Sequence, residues 1–212
     1  MRPRYLFSVS THPDAIGVNA LDITLFHPEI AFADYDYLIL TSKQAVEALK
    51  RYDRADFITK KALCVSKATA AAYRELGGSV LDIGGGYGDN LIDKIISYDK
   101  KMRWLYLRAE VVASDFARRV RETGYDVDEV IVYKSECSKA IERRAVEKDA
   151  VLIFTSPSSV NCFLRHHKLL PTHTVVVIGK TTAKAIPNPL TCKIADEPTI
   201  QSCIDLIEKE GL

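Results

Sequence analysis

Apolar runs of strand length alternate with helical patterns along almost the whole chain. Short runs bounded by polar turns read as buried strands, and the segments between them repeat apolar positions at helical spacing. The pattern predicts strands near Arg4–Val9, Asp22–His27, Tyr37–Thr41, Ala62–Ser66 and Ser79–Ile83. Further strands are predicted near Arg103–Arg108, Val127–Tyr133, Ala150–Thr155, Thr174–Ile178 and Thr191–Ala195. Helices are predicted over Lys43–Tyr52, Lys67–Leu76, Asp89–Ser97, Ser114–Thr123, Ser158–His167, Thr181–Ile186 and Thr199–Glu210. Gly77-Gly78 and Gly124 follow helices where a left-handed cap belongs. Strands that alternate with helices in this way form an α/β fold, with parallel sheets covered by helices on their faces.

The pattern is also written twice. Tyr37-Leu38-Ile39-Leu40-Thr41-Ser42, followed by Ala45-Val46, returns as Val151-Leu152-Ile153-Phe154-Thr155-Ser156, followed by Ser159-Val160. A second phrase follows each copy at nearly the same distance. It is Leu63-Cys64-Val65-Ser66-Lys67-Ala68-Thr69-Ala70 early and Val176-Val177-Ile178-Gly179-Lys180-Thr181-Thr182-Ala183 late. A period this long indicates duplicated domains, not a solenoid of short repeats. The first copy starts well inside the chain, whereas the second runs to the C-terminus. Five strands per domain result only if the first two strands complete the later copy. The expected layout is a discontinuous first domain (1–27 with 138–212) and a continuous second domain (35–130). The crossings lie at 28–34 and 131–137. A ligand is expected between the domains, at the carboxyl ends of the strands.

Composition narrows the function. Hydrophobic residues make up 47% of the 212, enough to fill two cores, and the net charge of +1 gives no support for nucleic-acid binding. The start, Met1-Arg2-Pro3-Arg4-Tyr5-Leu6-Phe7-Ser8, is basic without a sustained apolar stretch, unlike a signal peptide. No segment approaches the roughly 20 apolar residues of a membrane span. A cytoplasmic protein is expected. Cys64, Cys137, Cys162, Cys192 and Cys203 are scattered without a Cys-x-x-Cys, and read as small buried hydrophobes. His166 and His167 are helix neighbours whose side chains diverge by about 100°, so they cannot chelate together. No metal site is expected.

Asp36-Tyr37-Leu38-Ile39-Leu40-Thr41-Ser42, Trp104-Leu105-Tyr106-Leu107-Arg108-Ala109-Glu110, Val132-Tyr133, Phe154-Thr155-Ser156-Pro157-Ser158-Ser159-Val160 and Ile178-Gly179-Lys180-Thr181-Thr182-Ala183 follow one another in that order. Together they resemble uroporphyrinogen-III synthases over nearly the whole chain; order and spacing carry the likeness, not any single motif. The resemblance implies two flavodoxin-like α/β domains joined by a two-stranded linker. It implies a cyclising lyase of heme biosynthesis that needs no cofactor. Its substrate would be hydroxymethylbilane, closed to uroporphyrinogen III with inversion of ring D and loss of water. It is expected to act as a monomer, with no nucleic-acid or membrane partner, and at most a transient contact with the preceding pathway enzyme. Two places depart from the family pattern. Ser8-Val9-Ser10-Thr11-His12-Pro13 stands where the family has an Arg-Pro followed by a full helix, and the stretch after it hardly holds one. Ser66-Lys67 stands where a glycine is common.

The substrate carries eight carboxylates, and the repeated phrases offer anion sites. A helix that begins with Ser or Thr presents free N–H groups and a positive dipole end. Four such ends are candidates: Thr41-Ser42, Ser66-Lys67 with Thr69, Thr155-Ser156 with Ser158, and Gly179 to Thr182 with Lys180 and Thr181. Ordinary capping explains any one of them alone. Their recurrence at matching places favours binding, with Thr69 and Thr182 the strongest individual candidates. The resemblance sets Tyr133 as the candidate acid, since a phenol stays protonated near neutrality and can donate to the departing hydroxyl. A packed linker tyrosine is the competing account. The rest of the task is conformational: holding the bilane so that ring D attacks through its substituted carbon, via a spiro intermediate.

Two other functions compete. Val80-Leu81-Asp82-Ile83-Gly84-Gly85-Gly86-Tyr87-Gly88 mimics the nucleotide loop of S-adenosylmethionine-dependent methyltransferases, and Glu110 could serve as its ribose-binding acid. In the repeat, however, this loop falls opposite Ala195-Asp196-Glu197-Pro198, which has no glycine. A non-catalytic two-domain binder of small anions also fits the physics.

Overall fold

The two copies of the repeated phrase lie inside two separate parallel sheets. The computed structural model describes residues 2–86 and 88–212. In chain order the strands are β1 (Arg4–Ser8), β2 (Ile16–Asn19), β3 (Leu21–Leu25), β4 (Tyr37–Leu40), β5 (Lys61–Cys64), β6 (Val80–Ile83), β7 (Arg103–Ala109), β8 (Asp126–Cys137), β9 (Val151–Phe154), β10 (Thr174–Val177) and β11 (Lys193–Ile194). The helices are α1 (Lys43–Leu49), α2 (Arg54–Phe57), α3 (Lys67–Glu75), α4 (Asn90–Ile96), α5 (Phe116–Glu122), α6 (Lys139–Arg143), α7 (Pro157–His166), α8 (Lys180–Ala183) and α9 (Ile200–Lys209).

One sheet has the order β11-β10-β9-β1-β2, and the other β3-β8-β7-β4-β5-β6. Strand pairing is parallel from β11 through to β2, and likewise from β6 through to β8. The repeat matches β4, β5 and β6 to β9, β10 and β11. In the other two places β1 and β2 stand where β7 and β8 stand in the second sheet. Both sheets therefore have one spatial order, with the chain cut at different points.

Alternate residues of each inner strand serve opposite cores, as expected for strands covered on both faces. Leu38, Leu40, Leu105 and Leu107 join Val46, Leu49 and Tyr73 on one side. Ile39, Leu63, Trp104 and Tyr106 meet Leu91, Phe116 and Val120 on the other. The other sheet repeats this, with Phe7, Leu152, Phe154 and Phe163 on one side and Leu6, Ile153, Val176, Ile204 and Ile207 on the other. Each such side chain contributes about 1.5–3 kcal/mol on burial.

The chain divides into two compact units, Met1–Asp22 with Glu136–Leu212 and Ile23–Ser135. Three expectations change. The fifth strand of the first sheet is β2, in the stretch that read as a poor helix. Only Val18 of its four residues is buried, so it carries almost no strand signal. The strand expected at Asp22–His27 is β3 instead, at the edge of the other sheet beside β8. Ile23 and Leu25 pack against the second unit's core, so the first segment ends before residue 27. Finally, Cys137 and Cys162 are joined in a disulfide, not held as separate thiols. Cys137 ends β8 and Cys162 lies on α7, with Cα atoms 5.3 Å apart. Cys64 and Cys203 are buried thiols, both pushed up to about 12 by burial.

Candidate active site

Parallel pairing brings the carboxyl ends of neighbouring strands to one edge of each sheet. In the second unit this edge collects Thr41 and Ser42 after β4, Ser66 to Thr69 after β5, and Tyr133 on β8. In the first unit it collects Thr155 to Ser158 after β9 and Gly179 to Thr182 after β10.

Local chemistry builds each end. Ser42 is extended and caps α1, its Oγ accepting the Gln44 amide at 3.1 Å. Ser66 caps α3, accepting the Thr69 amide at 3.3 Å, and its hydroxyl meets Thr69 Oγ1 at 3.1 Å. Ser156 and Ser159 form a reciprocal capping box on α7, with bonds of 3.1 and 3.2 Å, and Pro157 fills the first helical position. Thr155 Oγ1 donates to the Phe7 carbonyl at 3.4 Å. Gly179 is extended, buried and without a side chain, so it lends α8 no hydroxyl cap.

The four ends are unequal as anion sites. Helices α3 and α7 run nine and ten residues, whereas α1 has seven and α8 only four. A single turn sums few peptide dipoles, so α8 can offer amide donors but little macrodipole. Lys67, Ser158 and Lys180 are exposed on their first turns. Thr69 and Thr182 are each 3% exposed, so the strongest sequence candidates sit beneath the surface at matching positions.

Tyr133 is buried against the core that holds Leu107 and Val132. Burial raises its phenol above the ordinary value, and the neighbouring Ser42 side chain opposes that rise. A second phenol, which sequence reasoning passed over, stands nearby. Tyr106 Oη and Thr41 Oγ1 are 3.0 Å apart, and burial pushes the Tyr106 phenol up to about 12. The alternation along β7 signals that Tyr106 is buried, but nothing local to it names Thr41 as its partner. Arg108 lies near the end of β7. Its Nη1 donates to the carbonyls of Ala109 at 2.8 Å and Glu110 at 3.0 Å. Its Nε lies 2.7 Å from Glu129 without aiming its hydrogen there, so this contact is charge pairing.

The glycine loop after β6 has packing reasons for its composition. A Cβ on Gly84 would stand 2.4 Å from Leu91 Cδ2, and one on Gly88 would stand 2.9 Å from Ser114 Cβ. Gly85 and Gly86 adopt φ of 73° and 100°, where glycine is favoured. Tyr87 lies outside the described residues. Glu110, the acid of the nucleotide reading, is exposed, and its amide donates to the Tyr133 carbonyl. Among the described residues, no group of three or more His, Cys, Asp and Glu could hold a metal ion. None of the described helices is long and apolar enough to cross a membrane.

A family model described as uroporphyrinogen-III synthase HemD matches residues 19–205. The solved uroporphyrinogen-III synthetase of Helicobacter pylori is 23% identical, with a TM-score of 0.80 over 99% of this chain and 100% of that one. A mutant uroporphyrinogen III synthase of Thermus thermophilus is 14% identical, with a TM-score of 0.66 over 98% of each chain. At these identities the likeness to solved structures shows the fold. No curated protein sequence matches the chain.

Proposed function

The chain belongs to the uroporphyrinogen-III synthase family, and from that membership we propose how its residues share the closing of hydroxymethylbilane to uroporphyrinogen III. The family's reaction is a cofactor-independent cyclisation in tetrapyrrole biosynthesis. The observation that carries the reading is the family match over residues 19–205, a span that includes every candidate residue from Thr41 to Thr182. The methyltransferase and non-catalytic readings have no such support.

The substrate is a polyacid, and the strand-end edges are where it is held. Ser66 takes the Thr69 amide, so the amides of Lys67 and Ala68 are those that meet a carboxylate at α3. At α7, Pro157 brings no N–H, and the amide and hydroxyl of Ser158 serve, with Thr155 and Ser156 shaping the turn. Each helix end contributes about 0.3–2 kcal/mol, less than millimolar binding requires. The amides after Gly179, the hydroxyls of Thr181 and Thr182, and the charges of Lys67 and Lys180 are further partners for carboxylates. Thr69 supports the α3 turn from beneath.

Tyr133 donates its proton to the hydroxyl that leaves as water, producing the azafulvene that a pyrrole carbon attacks. A phenol is already protonated near neutrality, and burial holds it so over a wider range, so the proton is present to give. The Thr41 hydroxyl is engaged by Tyr106 and the Ser42 oxygen by the Gln44 amide, so the end of β4 works mainly by shaping the turn. The pyrrole nitrogen assists departure of the hydroxyl, and the protein's larger contribution is orientation of ring D toward spiro closure.

The test generates hydroxymethylbilane in situ, adds the protein, oxidises the products and separates the porphyrin isomers. Spontaneous closure gives the type I isomer. A shift to type III is the expected result, and type I alone would overturn the reading.

A further inference from the structure

Resting on the reading above, we propose that the end of β7 is a binding subsite for one carboxylate-bearing pyrrole ring of the bilane. Arg108 holds a carboxylate of that ring, and the Val111-Val112 turn lies against its flat face. Such a ring is apolar across its plane and anionic at its side chains. Its site needs both characters side by side.

Strand register puts this segment at the binding edge. The pairing of β7 with β4 stops at Leu107 opposite Leu40, so Arg108 is the first residue of β7 beyond that partner. On its other side β7 continues along β8, where the register shifts and Ala109 stands level with Tyr133. The Glu110 amide then donates to the Tyr133 carbonyl at 2.9 Å. The end of β7 therefore lies between the Thr41-Ser42 turn and the acid.

The donors of Arg108 are only partly spent. Its Nη1 serves the carbonyls of Ala109 and Glu110, which fixes the guanidinium over the strand end. Nη2 carries two further hydrogens and donates to none of the described residues. Charge points the same way. Glu129 lies 2.7 Å from both Arg108 Nε and Arg121 Nη2, so one carboxylate is shared by two guanidiniums. Glu110 is exposed and its charge is screened by water, whereas the Arg108 side chain is only 21% exposed. Next to this cation, Val111 is 82% and Val112 37% exposed. A single exposed valine needs no explanation, but two in a row beside unspent donors at this edge suit an amphiphilic anion.

The experiment measures KM and kcat for type III formation from hydroxymethylbilane, with circular-dichroism melts. Arg108→Met should raise KM about 10- to 100-fold, as for loss of a charged hydrogen bond, with kcat kept within about threefold. The fold should survive, because Glu129 keeps its pairing with Arg121. Arg108→Lys retains the charge and should recover most of that affinity. Glu110→Gln removes a competing carboxylate and should lower KM. Val111→Thr should raise KM about three- to tenfold through lost apolar contact. Val111→Asp should raise it further, by a repulsion that added salt weakens. Both Val111 variants should melt with the parent, since the side chain is exposed. KM within about twofold of the parent in both Arg108→Met and Val111→Asp overturns the proposal. So does a fall in kcat and melting temperature at unchanged KM, the mark of a purely structural arginine. Should Arg108→Met fail to fold, the Val111 variants decide: a salt-sensitive rise in KM supports the subsite and an unchanged KM overturns it. A parent that forms only the type I isomer removes the underlying reading. Type III formation by the parent, beside variants with unaltered KM, removes only the subsite.

Discussion

At the scale of single residues, two tyrosines with similar burial have opposite expectations. Tyr133→Phe should lower type III turnover about 100-fold or more, as expected for loss of a general acid, while its thermal melt stays close to that of the parent. Steady-state assay beside calorimetry checks both halves. Tyr106→Phe should act on stability instead. Unfolded, this phenol titrates near its ordinary value of about 10; folded, burial pushes it up to about 12. Between those values the folded chain keeps a proton that the unfolded chain has lost, so stability falls as pH rises. Below about pH 10 both states are protonated and the contribution is complete. The variant should lose about 0.5–1.5 kcal/mol at neutral pH with the bond to Thr41. It should also show a shallower decline in urea midpoint between about pH 10 and 12 than the parent.

At the scale of elements, the strand-to-helix turns combine capping with ligand chemistry, and their costs can be separated. Ser156→Ala removes one side of the α7 capping box. It should cost about 1 kcal/mol of stability, read as a lower urea midpoint at unchanged slope. Ser156→Asp should restore most of that stability, because a carboxylate also caps. If the turn also holds substrate, the Asp variant should bind the polyacid more weakly despite its recovered stability, read as a raised KM. The same elements show how far local pattern reaches. Helices α3, α7 and α9 were legible from Ser or Thr before an apolar periodicity, since capping is a local interaction. Strand β2 was not, because one buried residue in four leaves no alternation to read. Helices α2 and α6 escaped notice because a single turn has too few positions to display a period.

At the scale of the whole molecule, the units differ in how the chain builds them. Residues Ile23–Ser135 form one continuous segment with a core on each face of its sheet. Expressed alone, this segment should fold and show a cooperative melt, measured by circular dichroism, but form no type III isomer. The other unit needs β1 and β2 from the start of the chain beside β9 from much later. A fragment of residues 136–212 lacks two of the five strands of that sheet and should not fold by itself.

The sequence alone determined the alternation of strand and helix, the duplication, the burial of inner strands on both faces and the hydroxyl-rich turns. Each is a local pattern that burial, period or capping imprints on neighbouring residues. Only the tertiary structure decided that β2 completes the first sheet, that β3 joins the second, that Cys137 meets Cys162, and that Thr41 meets Tyr106. Those choices pair groups far apart in the chain. Any strand can offer the backbone bonds involved, and most of these side chains have several possible partners, so the arrangement that packs both faces of each sheet selects among them.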